Sequence, residues 1–144
     1  MNIFPLDGIE QYHFGTYKSD IKGLLGNPDE IKNLDAKDGV SSEIYKYKSL
    51  GLDLYFDKDT DFRLWGISIS NASARLKGVT PIGLSEKELL KAFPDLKLDV
   101  CDGDYKEYIY PEQEIEFYLK FDTVDRIMVN PNLEEYCNKY SIHA

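Results

Sequence analysis

A chain of 144 residues with 42% hydrophobic and 30% charged residues has the composition of one globular domain, long enough to bury a core without a staple. Seventeen Lys and Arg against twenty-six Asp and Glu leave a net charge of -9 and a pI near 4.7, which repels a phosphate backbone and an anionic membrane alike. Neither nucleic acid nor membrane is therefore an expected partner. Met1 to Asp7 shows no basic segment and no apolar segment of a signal peptide, and no apolar run approaches the ~18 residues of a membrane span, so the expected location is cytoplasmic. The two cysteines, Cys101 and Cys137, lie far apart without a CxxC, which fits a reduced compartment.

In chain order, Ile9 to Phe14 reads as an edge strand. A first helix opens at Thr16 or Tyr17, lines one face with Ile21, Leu24 and Leu25, and stops at Gly26-Asn27-Pro28. Ile44 to Tyr47, Leu52 to Phe56 and Leu64 to Ser70 follow as strands. Alternation puts Leu52, Leu54 and Phe56 on one face and Asp53 and Tyr55 on the other, and it assigns Trp65, Ile67 and Ile69 together to the core. A second helix begins at Ser85-Glu86-Lys87-Glu88, a capping box, carries Leu89, Leu90 and Phe93 as its apolar stripe, and ends at Pro94. Tyr105 to Tyr110, Ile115 to Phe121 and Arg126 to Val129 form a second set of strands, with Ile115, Phe117 and Leu119 facing away from Glu116 and Tyr118. A short helix over 132–140 would set Leu133, Tyr136, Cys137 and Tyr140 against the domain.

These elements recur. At a separation of 63 positions, without a gap, Tyr45 matches Tyr108, Tyr47 matches Tyr110, Tyr55 matches Tyr118, Asp59 matches Asp122, Thr60 matches Thr123 and Arg63 matches Arg126. At a separation of 68, Gly15 matches Gly83, Ile21 matches Leu89 and Leu25 matches Phe93, which implies about five extra residues around Lys37 to Val40 of the first copy. The predicted fold is α+β: one domain over 1–144, an antiparallel sheet built from two tandem αβββ repeats (about 9–70 and 79–130), with the helices packed on one face.

Gly15-Thr16, Leu25-Gly26-Asn27-Pro28 and Tyr45-Lys46-Tyr47 in the first half, with Gly83-Leu84-Ser85 and Tyr108-Ile109-Tyr110 in the second, resemble the small αβ units of the SmpA/OmlA lipoproteins and the tandem-repeat beta-lactamase inhibitor proteins. The resemblance implies two helices on one face of a continuous sheet, with the opposite face free for a protein partner. Unlike those exported families, the chain is expected to have no signal peptide, no lipid-attachment cysteine and no disulfide in each repeat.

Catalytic chemistry is thinly supplied. The histidines are His13 and His143, and there is no Gly-x-Ser-x-Gly elbow, phosphate loop, HExxH or dinucleotide fingerprint. Asp57-Lys58-Asp59-Thr60-Asp61 opens like a calcium loop, but Phe62 replaces the required glycine and Ser68 the bidentate glutamate, so no metal or cofactor is expected. Arg63 and Arg126 are expected to pair with Asp59 or Asp122 as clips between strands.

Eleven tyrosines exceed the needs of a core this size, and tyrosine is a rigid amphipathic contact residue; the same rings also suit cross-strand pairs. Asp53, Tyr55, Glu114, Glu116 and Tyr118 form the expected partner-binding surface, acidic and aromatic. The expected function is that of an immunity-type protein occluding the active surface of a cationic toxin domain; the alternatives are a small enzyme or ligand-binding domain using a cleft between the repeats, with His13 and a carboxylate, and a scaffold module. Open sheet edges also admit a homodimer.

Overall fold

The computed structural model describes residues 1–35 and 41–141; the insertion expected around Lys37 to Val40, and His143, lie outside the described residues. The protein is α+β and its main sheet is antiparallel throughout. That sheet has eight strands: β4 (Glu30–Asp35), β5 (Ser41–Tyr47), β6 (Leu52–Asp57), β7 (Arg63–Ile69), β9 (Lys97–Asp102), β10 (Tyr105–Tyr110), β11 (Ile115–Lys120) and β12 (Thr123–Val129), in the spatial order β4-β5-β6-β7-β12-β11-β10-β9. Four strands, and not the expected three, therefore follow each of the helices α1 (Lys18–Leu25) and α2 (Glu86–Ala92). The additional strands, β4 and β9, are the two edges.

The expected edge strand over Ile9 to Phe14 does not join this sheet. A second, four-stranded sheet forms instead from β1 (Asn2–Phe4), β2 (Gly8–Ile9), β3 (Tyr12–His13) and β8 (Arg75–Leu76), in the order β3-β2-β1-β8, with β1 parallel to β8. The tight β2–β3 turn depends on Gly8: a Cβ there would sit 2.0 Å from the Tyr12 carbonyl oxygen, and its φ is +148°.

Alternation decides the core. Leu52, Leu54 and Phe56 of β6 and Ile115, Phe117 and Leu119 of β11 are almost wholly buried, and they share one cluster with Ile21 of α1 and Leu89 of α2. The Ser85 capping box is formed, with the Glu88 amide donating to Ser85 Oγ at 3.2 Å and the Ser85 amide donating to the Glu88 carboxylate at 3.0 Å. The first helix has no side-chain cap at Tyr17; Ile21 is buried and Leu25 packs partly buried against the core, but Leu24, expected on the same face, is exposed. Helix α3 (Leu133–Tyr140) buries Tyr136 but leaves Leu133 and Cys137 exposed, contrary to the expected four-residue face. No helix among the described residues is long and apolar enough to cross a membrane.

The register corrects the ungapped match. Leu54 pairs with Ile67 and Phe117 with Ile127; Tyr55 pairs with Gly66 and Tyr118 with Arg126. Residues of β7 and β12 thus correspond at a separation of 60, not 63. The three-residue difference is the 3-10 turn Lys58–Thr60, after which Asp61 and Phe62 take left-handed φ values of 56° and 55°, as Phe121 and Asp122 do at 49° and 61°. Tyr45, Tyr47 and Tyr55 occupy the same places as Tyr108, Tyr110 and Tyr118, whereas Arg63 and Arg126 do not correspond. At separations of 68 and 60, the Gly15 amide donates to Leu64 O and the Gly83 amide to Val124 O, both at 2.8 Å.

Replacing Phe117 with alanine, which empties the centre of this core, is expected to lower stability by about 3–5 kcal/mol in urea unfolding. Ser85→Ala should cost about 1 kcal/mol, through the cap alone.

Candidate functional site

The sheet face opposite the core carries Asp53 and Tyr55 from β6 and Glu116 and Tyr118 from β11, because these residues alternate with the buried leucines, isoleucines and phenylalanines. Between them lie β7 and β12, and a bulge in each changes what this face presents. Tyr55 pairs with Gly66 but Phe56 with Leu64, so Trp65 is the unpaired residue; Tyr118 pairs with Arg126 but Leu119 with Val124, so Asp125 is the unpaired one. Trp65 consequently leaves the core face on which simple alternation placed it. Its ring lies against Tyr55, with centroids 5.5 Å apart and planes at 54°.

Tyr55, Trp65, Tyr118 and Met128 line a groove of about 390 Å³, together with Glu114, Glu116, Arg126, Asn130 and, at the N-terminus of α3, Leu133. Four of the five expected binding residues, Tyr55, Glu114, Glu116 and Tyr118, meet here. Asp53 does not line the groove: its carboxylate accepts from Lys46 Nζ at 3.1 Å on the neighbouring strand β5. Gly66 sits beneath the Met128 methyl, where a Cβ would approach Cε to 2.7 Å, so glycine is what lets Met128 lie across the groove floor.

The charges are held in a specific way. The Tyr118 hydroxyl donates to Glu116 at 2.5 Å, which orients that carboxylate. Arg126 does not form the expected clip; its guanidinium carbon lies 4.5 Å from the centroid of the Tyr118 ring, and among the described residues it makes no ion pair. Asp122 accepts instead from the Glu86 amide at the start of α2, and Arg63 donates to Gly15 O at 2.8 Å and Tyr17 Oη at 2.6 Å. The Trp65 indole nitrogen is buried without a hydrogen-bond partner. Burial, assisted by the Glu116 hydrogen bond, raises the Tyr118 phenol well above its ordinary value; burial and the Asp53 carboxylate raise Tyr55, against the opposing charge of Arg126.

Tyr45, Tyr47, Tyr108 and Tyr136 are buried, so the surplus of tyrosine is divided between core and groove. His13 does have a carboxylate partner, Asp7 at 2.9 Å, but both side chains are about half exposed, at 54% and 55%, and they belong to the small sheet and its turn. The residues that alternation missed are Trp65, Arg126, Met128, Asn130 and Leu133. A signal for the first two was present: Leu64 and Ile67, like Val124 and Ile127, stand three apart where a regular strand would space them by two, and Gly66 interrupts the first run.

No family model and no curated protein matches the chain. Solved structures with a similar fold include a DUF4309 family protein (YjgB) from Bacillus subtilis, with a TM-score of 0.59 and 13% identity over 88% of each chain. The uncharacterized protein yfeY from Escherichia coli aligns with a TM-score of 0.55 and 14% identity, covering 90% of this chain and 98% of that one. An extracellular protein containing a SCP domain, from Bacillus anthracis, aligns at 0.51 and 11% identity over 89% of this chain, which spans only 47% of its length. At such identities the likeness concerns the fold alone.

Burial holds Tyr47, Tyr108 and Tyr136 up to about 12 in the folded protein, against 10.0 for a free phenol. The unfolded chain therefore loses these protons first. The stability they confer is intact below pH 10 and declines as the pH rises towards 12. Spectrophotometric titration should show a fraction of phenolate absorbance appearing only with unfolding, and Tyr118→Phe should diminish that late fraction.

Proposed function

We propose that the protein is a binding module that covers a basic protein surface with the open face of its sheet, anchored in the groove between Tyr55 and Tyr118. On this reading the platform consists of two copies of one helix-and-meander unit, with the helices behind it. The matched hydrogen bonds of Gly15 and Gly83, and the matched bulges at Trp65 and Asp125, support that reading.

The carrying observation is the composition of the groove: aromatic rings and a methionine on its walls and floor, two carboxylates among its lining residues, and a guanidinium held by a ring and not by an acid. Aromatic walls give buried area with few rotors to freeze. Glu116, already oriented by Tyr118, offers an acceptor to a lysine or arginine of the partner. Arg126 lies over Tyr118 in an interaction worth about 0.5–1 kcal/mol when exposed, so it can swing away as a cationic anchor enters. The net charge of -9 would steer a basic partner inward and make association fast and salt-sensitive. The immunity-type function is the specific form of this proposal: the partner would be a cationic toxin domain, met in the cytoplasm and neutralised by occlusion.

The chain's one tryptophan lies in the groove and reports directly on its occupancy. Affinity capture with the full chain, followed by titration of the captured partner, should change Trp65 fluorescence and weaken with salt. Tyr55→Ala and Glu116→Lys should each weaken binding by about tenfold or more, while Lys91→Ala, on the exposed face of α2, should leave it unchanged. A partner that binds without altering Trp65 fluorescence and ignores Glu116→Lys would refute groove docking.

A further inference from the structure

The outermost strand on the α2 side, β9, is exposed along its whole length, from Lys97 to Asp102. It contains neither proline nor glycine, and its middle is apolar: Leu98 is 52% exposed and Val100 36%, next to an exposed Cys101. Such an edge is a template for another strand unless charge or distortion blunts it. Its distortion is one bulge. Lys97 pairs with Ile109, Leu98 with Tyr108, Val100 with Glu107, Cys101 with Lys106 and Asp102 with Tyr105, leaving Asp99 unpaired.

This register assigns the faces. Lys97, Val100 and Asp102 lie on one side of the sheet and Leu98 and Cys101 on the other, since the bulge shifts the alternation by one residue. A two-fold axis perpendicular to the sheet keeps each residue on its own face, so it can set only like-faced residues opposite each other. Centred on Val100, it places Val100 against itself, Leu98 against Cys101 of the second copy, and Lys97 against Asp102 of the second copy. Both ends of the strand then carry opposite charges, with Val100 meeting Val100 on one face and Leu98 meeting Cys101 on the other. Centring the axis on Cys101 instead sets Val100 against Asp102 and carries Leu98 past the Gly103 turn.

Counting back from the two-residue turn at Gly103 and Asp104, the alternation of antiparallel pairs turns the Cys101 backbone groups outward, where a second strand would use them. We propose that β9 pairs with β9 of a second copy of this chain, antiparallel about Val100, joining two sheets edge to edge. The groove between β6 and β11 lies in the middle of each sheet and stays open in this dimer.

Sedimentation of the full chain should show a reversible dimer. Lys97→Glu should weaken it by about tenfold through two like-charge contacts, and the exchange Lys97→Glu with Asp102→Lys should restore it. In a background with Cys101→Ser and Cys137→Ser, Val100→Cys should crosslink on mild oxidation, because facing residues of a pair not joined by hydrogen bonds lie about 4.5 Å apart at Cα, within disulfide reach. Leu34→Cys, on the opposite edge strand β4, is the comparison and should not crosslink. A monomer at every concentration, crosslinking at Val100 no faster than at Leu34, or a dimer indifferent to Lys97→Glu would each overturn the proposal.

Discussion

The two halves of the main sheet meet through one short seam. Ile69 pairs with Ile127, Ser68 with Met128 and Ile67 with Val129, and this is where β7 joins β12. The Ser68–Met128 pair lies between two pairs of apolar residues. With no turn joining the two strands directly, their alignment depends on the ladder and on the apolar residues beneath it. Ile67, Ile69, Ile127 and Val129 are all fully buried there, so a slip by one residue would turn each of them to the wrong face. The positions of Tyr55 and Tyr118 on either side of the seam follow from that register.

The two strands of the seam present unlike residues to the groove. Gly66 is the partner of Tyr55 and Arg126 that of Tyr118, while Trp65 and Asp125 are the unpaired residues beside them. One side thus contributes an indole and an absent side chain, the other a carboxylate and a guanidinium. Met128 fills the space that Gly66 leaves, and Arg126 covers the ring of Tyr118 as no residue covers that of Tyr55 from Gly66. A groove built from unlike halves distinguishes the ends of whatever lies in it, which a symmetric surface would not do.

The sequence was legible where burial imposes a period. Leu52, Leu54 and Phe56, and Ile115, Phe117 and Leu119, announce their strands because one face is buried and the other is not. Edge strands β4 and β9 carry no such mark: Ile31, Leu34, Leu98 and Val100 all remain at least partly exposed, so no alternation is required of their neighbours. Bulges are the second cause of misreading. A single unpaired residue reverses the facing of everything beyond it, and so regular alternation puts Trp65 in the core although its ring lies in the groove beside Tyr55. The three-residue turn Lys58–Thr60 is the third, since identities at Asp59, Thr60 and Arg63 matched Asp122, Thr123 and Arg126 by type and not by place.

Charge then separates the groove from the rest of the surface. Several cations elsewhere are paired with acids: Lys18 with Glu43, Lys46 with Asp53 and Lys106 with Glu86. These exposed or half-buried pairs add little stability, but each removes a carboxylate from the field that a ligand would meet. In the groove the pairing is different. Glu116 is oriented by a neutral phenol, which keeps its charge, and Arg126 is held by a ring, which leaves its hydrogen-bonding capacity free. A protein with a net charge of -9 has many acids, so a surplus of acid alone could not mark a site. What marks this one is that Glu116 and Arg126 are both held by the Tyr118 side chain and not by each other, which leaves both signs available to a partner at the moment of contact.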